Sequence, residues 1–138
     1  MMMKSRRRSE AATRFDERRQ REREAQRLRD RVPSLATLRL DIAEGHGAID
    51  AGPKHARIVM VETGAALFEL ACADPSCRGG GYDITVAVMR GLLDGKAHFE
   101  MDRRCEGSVG PAACGRNVHV DVSATYAASN EPLGRRAS

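Results

Sequence analysis

The sequence predicts an α+β fold: a small antiparallel sheet of about five strands, one short helix, and a basic helical arm at the N-terminus. Three observations carry that expectation. Apolar and polar residues alternate with period two at 38–42, 97–102 and 117–126. Residues 4–32 are rich in Arg, Glu, Gln and Ala, with few hydrophobes. Four cysteines form two pairs, each set where a strand begins or ends.

The 138 residues amount to one domain with appendages. We read 1–33 as an exposed helical or disordered arm, 34–126 as the folded domain and 127–138 as a disordered tail. The aromatic residues are Phe15, Phe68, Phe99, Tyr82 and Tyr126, and there is no Trp. The core is therefore small and aliphatic, and an internal cross-link would supply a large part of its stability. Charge is uneven. Residues 4–32 contain 12 Lys/Arg and 6 Asp/Glu, a net of +6, against +4 for the whole chain, so the remainder sums to −2. A basic arm on a slightly acidic body suits an electrostatic contact with RNA, DNA or a negative protein surface, or it is a solvated tail. The start MMMKSRRRSE has no apolar run behind it, so neither a secretory signal nor a membrane span is expected, and a cytoplasmic location follows.

In chain order, residues 4–32 carry supporting pairs at helical spacing, Glu10/Arg14 and Glu17/Arg21. Val32 precedes Pro33, a stop signal. Phe15, Ala25, Leu28 and Val32 make no continuous stripe and no heptad repeat is sustained, which predicts a solvent-exposed helix rather than a coiled coil. Leu38, Leu40 and Ile42 then alternate with polar neighbours as a half-buried strand. Residues 44–54, with Gly45, Gly47, Gly52 and Pro53, read as a loop. Strands at 56–62 and 66–72 are expected to form a hairpin around Thr63-Gly64-Ala65; the first is apolar on both faces and so reads as central. In residues 83–94, Ile84, Ala87, Val88 and Leu92 share one helical face, Asp83 offers an N-cap and Gly95 an end, so a helix is expected there. Strands at 97–102, with Phe99 and Met101 inward, and at 117–126, with Val118, Val120, Val122, Ala124 and Tyr126 inward, complete the body.

The cysteine spacing is C-x4-C from Cys72 to Cys77, then 27 residues, then C-x8-C from Cys105 to Cys114. Asp74-Pro75 turns the first loop, and Cys105 and Cys114 stand at the base of a loop between antiparallel neighbours. One end of the sheet would thus collect four sulfurs. Zinc favours such a tetrathiolate, and in a reducing compartment four cysteines suit metal better than two disulfides. Free thiols, disulfides and a redox switch are the alternatives. A closed four-thiolate shell has no open position to activate water, so the expected zinc is structural. His46, His55, His98 and His119 could replace a sulfur should one cysteine point away, but His98 and His119 fall on the polar faces of their strands and the four are read as ordinary surface imidazoles. Over residues 70–118 the chain resembles the broad zinc-ribbon class, in which two cysteine knuckles on β-hairpins share one metal, here with longer knuckles than the usual C-x2-C. The resemblance implies a fold element and a nucleic-acid or protein contact.

Catalytic motifs fail on inspection. Gly79-Gly80-Gly81 lacks the spacing of a dinucleotide or phosphate loop and is expected to turn the backbone beside Cys77. Gly107-Ser108-Val109-Gly110 misplaces the first glycine of a nucleophile elbow. No enzyme is expected. On a continuous helix Arg19, Arg23, Arg27 and Arg31 would form a ladder able to follow phosphates, joined by Arg14 and Arg18. The function expected is a non-enzymatic, zinc-binding, nucleic-acid-associated protein. A protein-interaction adaptor that docks through the arm is one alternative, and a thiol redox sensor another.

Overall fold

A computed structural model describes residues 10–46 and 54–127 of the chain. Its centre is a four-stranded antiparallel sheet in the order β2-β1-β8-β5, with β1 Leu35–His46, β2 Lys54–Val59, β5 His98–Arg104 and β8 Arg116–Tyr126. The two long strands pair along almost their whole length, from Leu35↔Tyr126 to His46↔Arg116. Period-two alternation sets this register. Leu38, Leu40 and Ile42 face Ala124, Val122 and Val120 on one side of the sheet, and Phe99 and Met101 of β5 extend the same rows. Slipping the pairing by one residue would turn that set into solvent.

Helix α3, Thr85–Leu93, supplies Ile84, Val88 and Leu92 to the same core, with Phe68 and Tyr82 beside them. Its C-terminal end follows the sequence, but the N-cap is Ile84, without a side-chain cap, rather than the expected Asp83, which sits one residue earlier. Asp83 Oδ1 accepts the Thr85 N–H at 3.0 Å. At the other end Gly95 takes φ 73°, and the Gly95 and Lys96 N–H groups donate to Leu92 and Gly91 at 3.0 Å each, closing the helix in the left-handed manner that favours glycine.

Two short ribbons flank the sheet: β3 Glu69–Leu70 with β4 Tyr82–Asp83, and β6 Ser108–Val109 with β7 Ala112–Ala113. The main sheet therefore has four strands rather than five. The expected strand at 66–72 shrinks to β3, which pairs with β4 and forms no hairpin with β2. Nor is the expected strand at 56–62 central. It is the edge strand β2, and Ile58 and Met60 stand 66% and 68% exposed. An apolar run on both faces is compatible with an edge when one face has no element laid on it.

The arm departs most from expectation. Helix α1 runs Glu10–Glu24 and then stops; α2, Leu28–Arg31, follows separately. Between them Arg27 is extended (φ −76°, ψ 142°) and bridges to Ala65. Gly64 O accepts the Leu28 N–H at 2.9 Å and Gln26 O accepts the Ala66 N–H at 2.8 Å, so strand-like pairing with 64–66 replaces the helical bonds. Leu28 and Val32 are buried in the core, where solvent exposure was expected. The continuous ladder Arg19, Arg23, Arg27, Arg31 is accordingly broken after Arg23. The helix expected for residues 4–9, most of the loop at 44–54 (47–53) and the tail from 128 onward lie outside the described residues. No described helix is long and apolar enough to cross a membrane.

Candidate metal centre

The turn chemistry of the first knuckle is local. Asp74 Oδ1 accepts the Ser76 N–H at 2.8 Å, Asp74 O accepts the Cys77 N–H at 3.1 Å, and the chain doubles back within C-x4-C. The second knuckle is the β6–β7 ribbon, whose base is set by the β5–β8 pairing: Cys105 N–H donates to Arg116 O at 2.9 Å and Cys114 N–H to Gly107 O at 2.9 Å. A backbone bridge between Arg78 and Ser108, 2.8 Å one way and 3.0 Å the other, stitches the two knuckles together. Residues far apart in the chain are thereby fixed side by side.

The result is that Cys72, Cys77, Cys105 and Cys114 meet at one end of the sheet, with all four Sγ atoms within 4.8 Å of one another. Cys72 Sγ lies 3.7 Å from Cys114 Sγ, and Cys77 Sγ 3.6 Å from Cys105 Sγ. All four are free thiols. A zinc ion bonded to four sulfurs at 2.3 Å would hold them about 3.8 Å apart, so the cluster already has the dimensions of a tetrathiolate shell. Cys77, Cys105 and Cys114 are buried and Cys72 half-buried. Burial pushes the Cys77 thiol up to about 11 and raises Cys72 further, with neighbouring thiols adding to the effect. Burial opposes ionisation of Cys105 as well. Yet N–H donors of Gly107 and Gly81, and the Cys77 and Cys72 thiols, outweigh it and hold Cys105 below the ordinary thiol value. The Gly81 N–H lies 3.3 Å from Cys105 Sγ. The glycine run singled out from sequence thus serves the cysteine cluster, with Gly80 pressed against Cys77 and Cys105 Sγ.

One supporting residue has no signal in the sequence. Glu44, on β1, accepts from Ala73 N–H at 3.0 Å, from Tyr82 O–H at 2.8 Å and from Arg116 Nε at 3.2 Å, all at Oε2. Ala73 follows Cys72, Tyr82 follows the glycines and Arg116 lies two residues after Cys114, so this carboxylate ties three sides of the centre to the sheet. Burial and the Glu44 hydrogen bond raise the Tyr82 pKa, and the same carboxylate raises Arg116. The Glu44 and Arg116 side chains are 14% and 20% exposed, so each relies on the other. Glu44→Ala is expected to lower stability by about 3 kcal/mol, because it strands a largely buried guanidinium and a buried hydroxyl. Urea denaturation checks this.

A second cluster sits on the outer face of the sheet. His119 Nδ1 is 2.8 Å from Asp102 Oδ1, and Nε2 is 2.9 Å from Glu100 Oε1 and 3.4 Å from Asp121 Oδ1. Far from being an ordinary surface imidazole, His119 is ringed by carboxylates. The hydrogen bond to Asp102 raises its pKa; partial burial opposes that rise, and the charges of Asp102, Asp121 and Glu100 reinforce it. A raised folded-state pKa stabilises fully below the unfolded value of about 6.5, and the contribution fades as pH climbs through the folded value. His119→Gln should therefore cost about 0.5–1 kcal/mol at pH 5.5 and much less at pH 8.5, as paired denaturation curves would show.

The arginines expected to contact nucleic acid do not form one ladder. Arg14 Nη2 is 3.5 Å from Cys77 O beside the centre. Arg18 and Arg19 lie over the Phe15 ring, 5.5 and 5.7 Å from its centroid. Arg23 bonds Gln20 one turn back, Arg27 donates to Thr63 O at 3.0 Å and Arg31 to Gln26 Oε1 at 3.4 Å. Arg21, read from sequence only as the partner of Glu17, docks α1 on the body in a two-pronged pair with Glu69 at 2.8–3.1 Å. No protein-family model, characterised protein or solved structure matches this chain.

Proposed function

We propose that this chain is a non-enzymatic zinc protein that associates with nucleic acid through its arginine-rich N-terminal segment. The observation that carries the metal half is the convergence of four sulfurs within 4.8 Å on two knuckles that share a backbone bridge. Cys72, Cys77, Cys105 and Cys114 would hold the ion, which when bound would neutralise thiolate charge and cross-link the sheet end. Four protein ligands complete a tetrahedron, so the role is structural. The nucleic-acid half is supported by charge placement. Arg18, Arg19, Arg23, Arg27 and Arg31 make no contact closer than 3.9 Å with a described carboxylate, which leaves their guanidinium groups available to phosphate.

The tests are metal content with thiol counting on purified protein, and a gel-shift titration at rising salt. One zinc per chain is expected, with affinity for RNA or DNA that falls steeply with salt. Because Leu28 and Val32 belong to the core, the arm is best probed by substitution. Replacing Arg14, Arg18, Arg19, Arg23, Arg27 and Arg31 by Gln should abolish the shift, and a salt-insensitive complex would count against the reading. The alternative redox role would close a disulfide between Cys72, the most accessible of the four, and Cys114 Sγ at 3.7 Å, although burial, which raises the Cys72 thiol, works against it. Cysteines that resist mild peroxide would exclude it.

A further inference from the structure

Ion pairing separates two sets among the described arginines. Arg21, Arg29, Arg39 and Arg116 are engaged by Glu69, Glu62, Asp41 and Glu44 at 2.8–3.2 Å. A second group, Arg19, Arg23, Arg27 and Arg57, lines one cavity of about 350 Å³ between α1 and the edge strand β2. Glu22 is the sole acid there, and it is 3.9 Å from Arg19, at the outer limit of pairing. A neighbouring cavity of about 410 Å³ shares Arg19, Glu22 and Arg57, and adds Arg18, His55 and Phe15 together with the carboxylates of Glu44 and Glu69, which Arg116 and Arg21 already pair. The two form one groove that runs along α1. Arg57 belongs to the body, was not part of the sequence-based arm, and has no carboxylate partner among the described residues.

We infer that this groove is a binding track for single-stranded nucleic acid, with Arg19, Arg23, Arg27 and Arg57 holding successive phosphates and Phe15 offering its ring to a base. The inference rests on the nucleic-acid reading above and deepens it. Its chemistry is that of a single-strand site: a positive groove follows the backbone and an aromatic face stacks without regard to sequence. Phe15 is 47% exposed, and the guanidinium groups of Arg18 and Arg19, which lie over its ring, would swing onto phosphates as a base stacks there. A duplex presents its phosphates on a wide cylinder whose bases cannot reach Phe15.

The experiment is fluorescence anisotropy on the full chain with zinc, using a labelled 12-nucleotide oligo-dT or oligo-U and a 12-base-pair duplex, over a series of salt concentrations. Arg57→Gln should weaken single-strand binding about fivefold at moderate salt and lessen the salt slope by about 0.7, the loss of one phosphate contact. Phe15→Leu should weaken it by about tenfold with the slope unchanged, since stacking releases no counterion. Arg39→Gln, on the opposite face of the sheet and paired with Asp41, should change neither. Circular dichroism confirms that each variant is folded. Wild-type binding untouched by Arg57→Gln and Phe15→Leu overturns the groove and leaves the broader reading standing; so does tighter binding of the duplex. No binding to either oligonucleotide at any salt overturns both.

Discussion

Replacing Cys105 by serine should abolish metal retention and destroy cooperative unfolding of the domain, the largest single effect expected in this chain. Cys105 is 2% exposed, lies 3.6 Å from Cys77 and receives the Gly81 N–H, so it sits at the heart of the cluster. A structural zinc contributes about 10–16 kcal/mol of apparent binding free energy in small zinc domains. Entire domains are stable by about 5–15 kcal/mol. With the proposed zinc in place, a shell reduced to three thiolates would not leave this aliphatic core intact. Removing metal with a strong chelator should reproduce the phenotype in the unaltered protein, followed by circular dichroism and by release of four titratable thiols. Cys105→Ala separates metal from packing. Were the four thiols only a patch of buried apolar surface, losing one sulfur would cost about 1 kcal/mol, roughly the scale of one buried methylene, and chelator would do nothing. A large loss matched by chelator sensitivity shows that a bound metal ion holds the cluster together.

That convergence was legible in the sequence because each cysteine pair brackets a turn, and turns that close antiparallel strands gather at sheet ends. The long strands were legible for a related reason: Leu38-Leu40-Ile42 and Val118-Val120-Val122 alternate without interruption, and alternation alone decides which face is buried. What composition could not give was neighbourhood. Ile58 and Met60 read as core because an apolar side chain carries no label saying whether an element will be laid over it. Ala25, Gln26 and Arg27 are all good helix formers, yet the helix stops there because pairing with Gly64, Ala65 and Ala66 satisfies the same backbone groups and lets Leu28 reach the core. Leu28 and Val32, four residues apart, were the available clue that the arm is docked. Glu44 had no clue at all. Its partners at 73, 82 and 116 come within reach only through the register of β1 with β8, which places Glu44 opposite Val118.

The second large effect should come from a single methyl group, at Gly107. Its backbone needs no special conformation, since Gly107 is absent from the glycines with positive φ, so alanine meets no torsional penalty there. The obstacle is contact. A Cβ would fall 2.7 Å from Arg78 O and 2.7 Å from Gly80 Cα, and nearer still to Cys77 Sγ. Two of these are main-chain atoms, and Arg78 O is held by the paired Arg78–Ser108 bonds, which cannot yield without parting the knuckles. Overpacking of this kind costs about 1–3 kcal/mol. Here it would also displace Cys77, one of the proposed metal ligands, so the loss should approach the upper end and weaken zinc retention against a chromophoric chelator. Gly110→Ala supplies the contrast. At φ 60° it has nothing within 4 Å of its would-be Cβ, so it should cost about 1 kcal/mol of backbone strain and leave metal affinity unchanged. Equal zinc retention in the two variants would mean that the knuckles are not clasped through Gly107. Weaker retention in Gly107→Ala alone would locate the clasp at that glycine, where the second knuckle crosses the first.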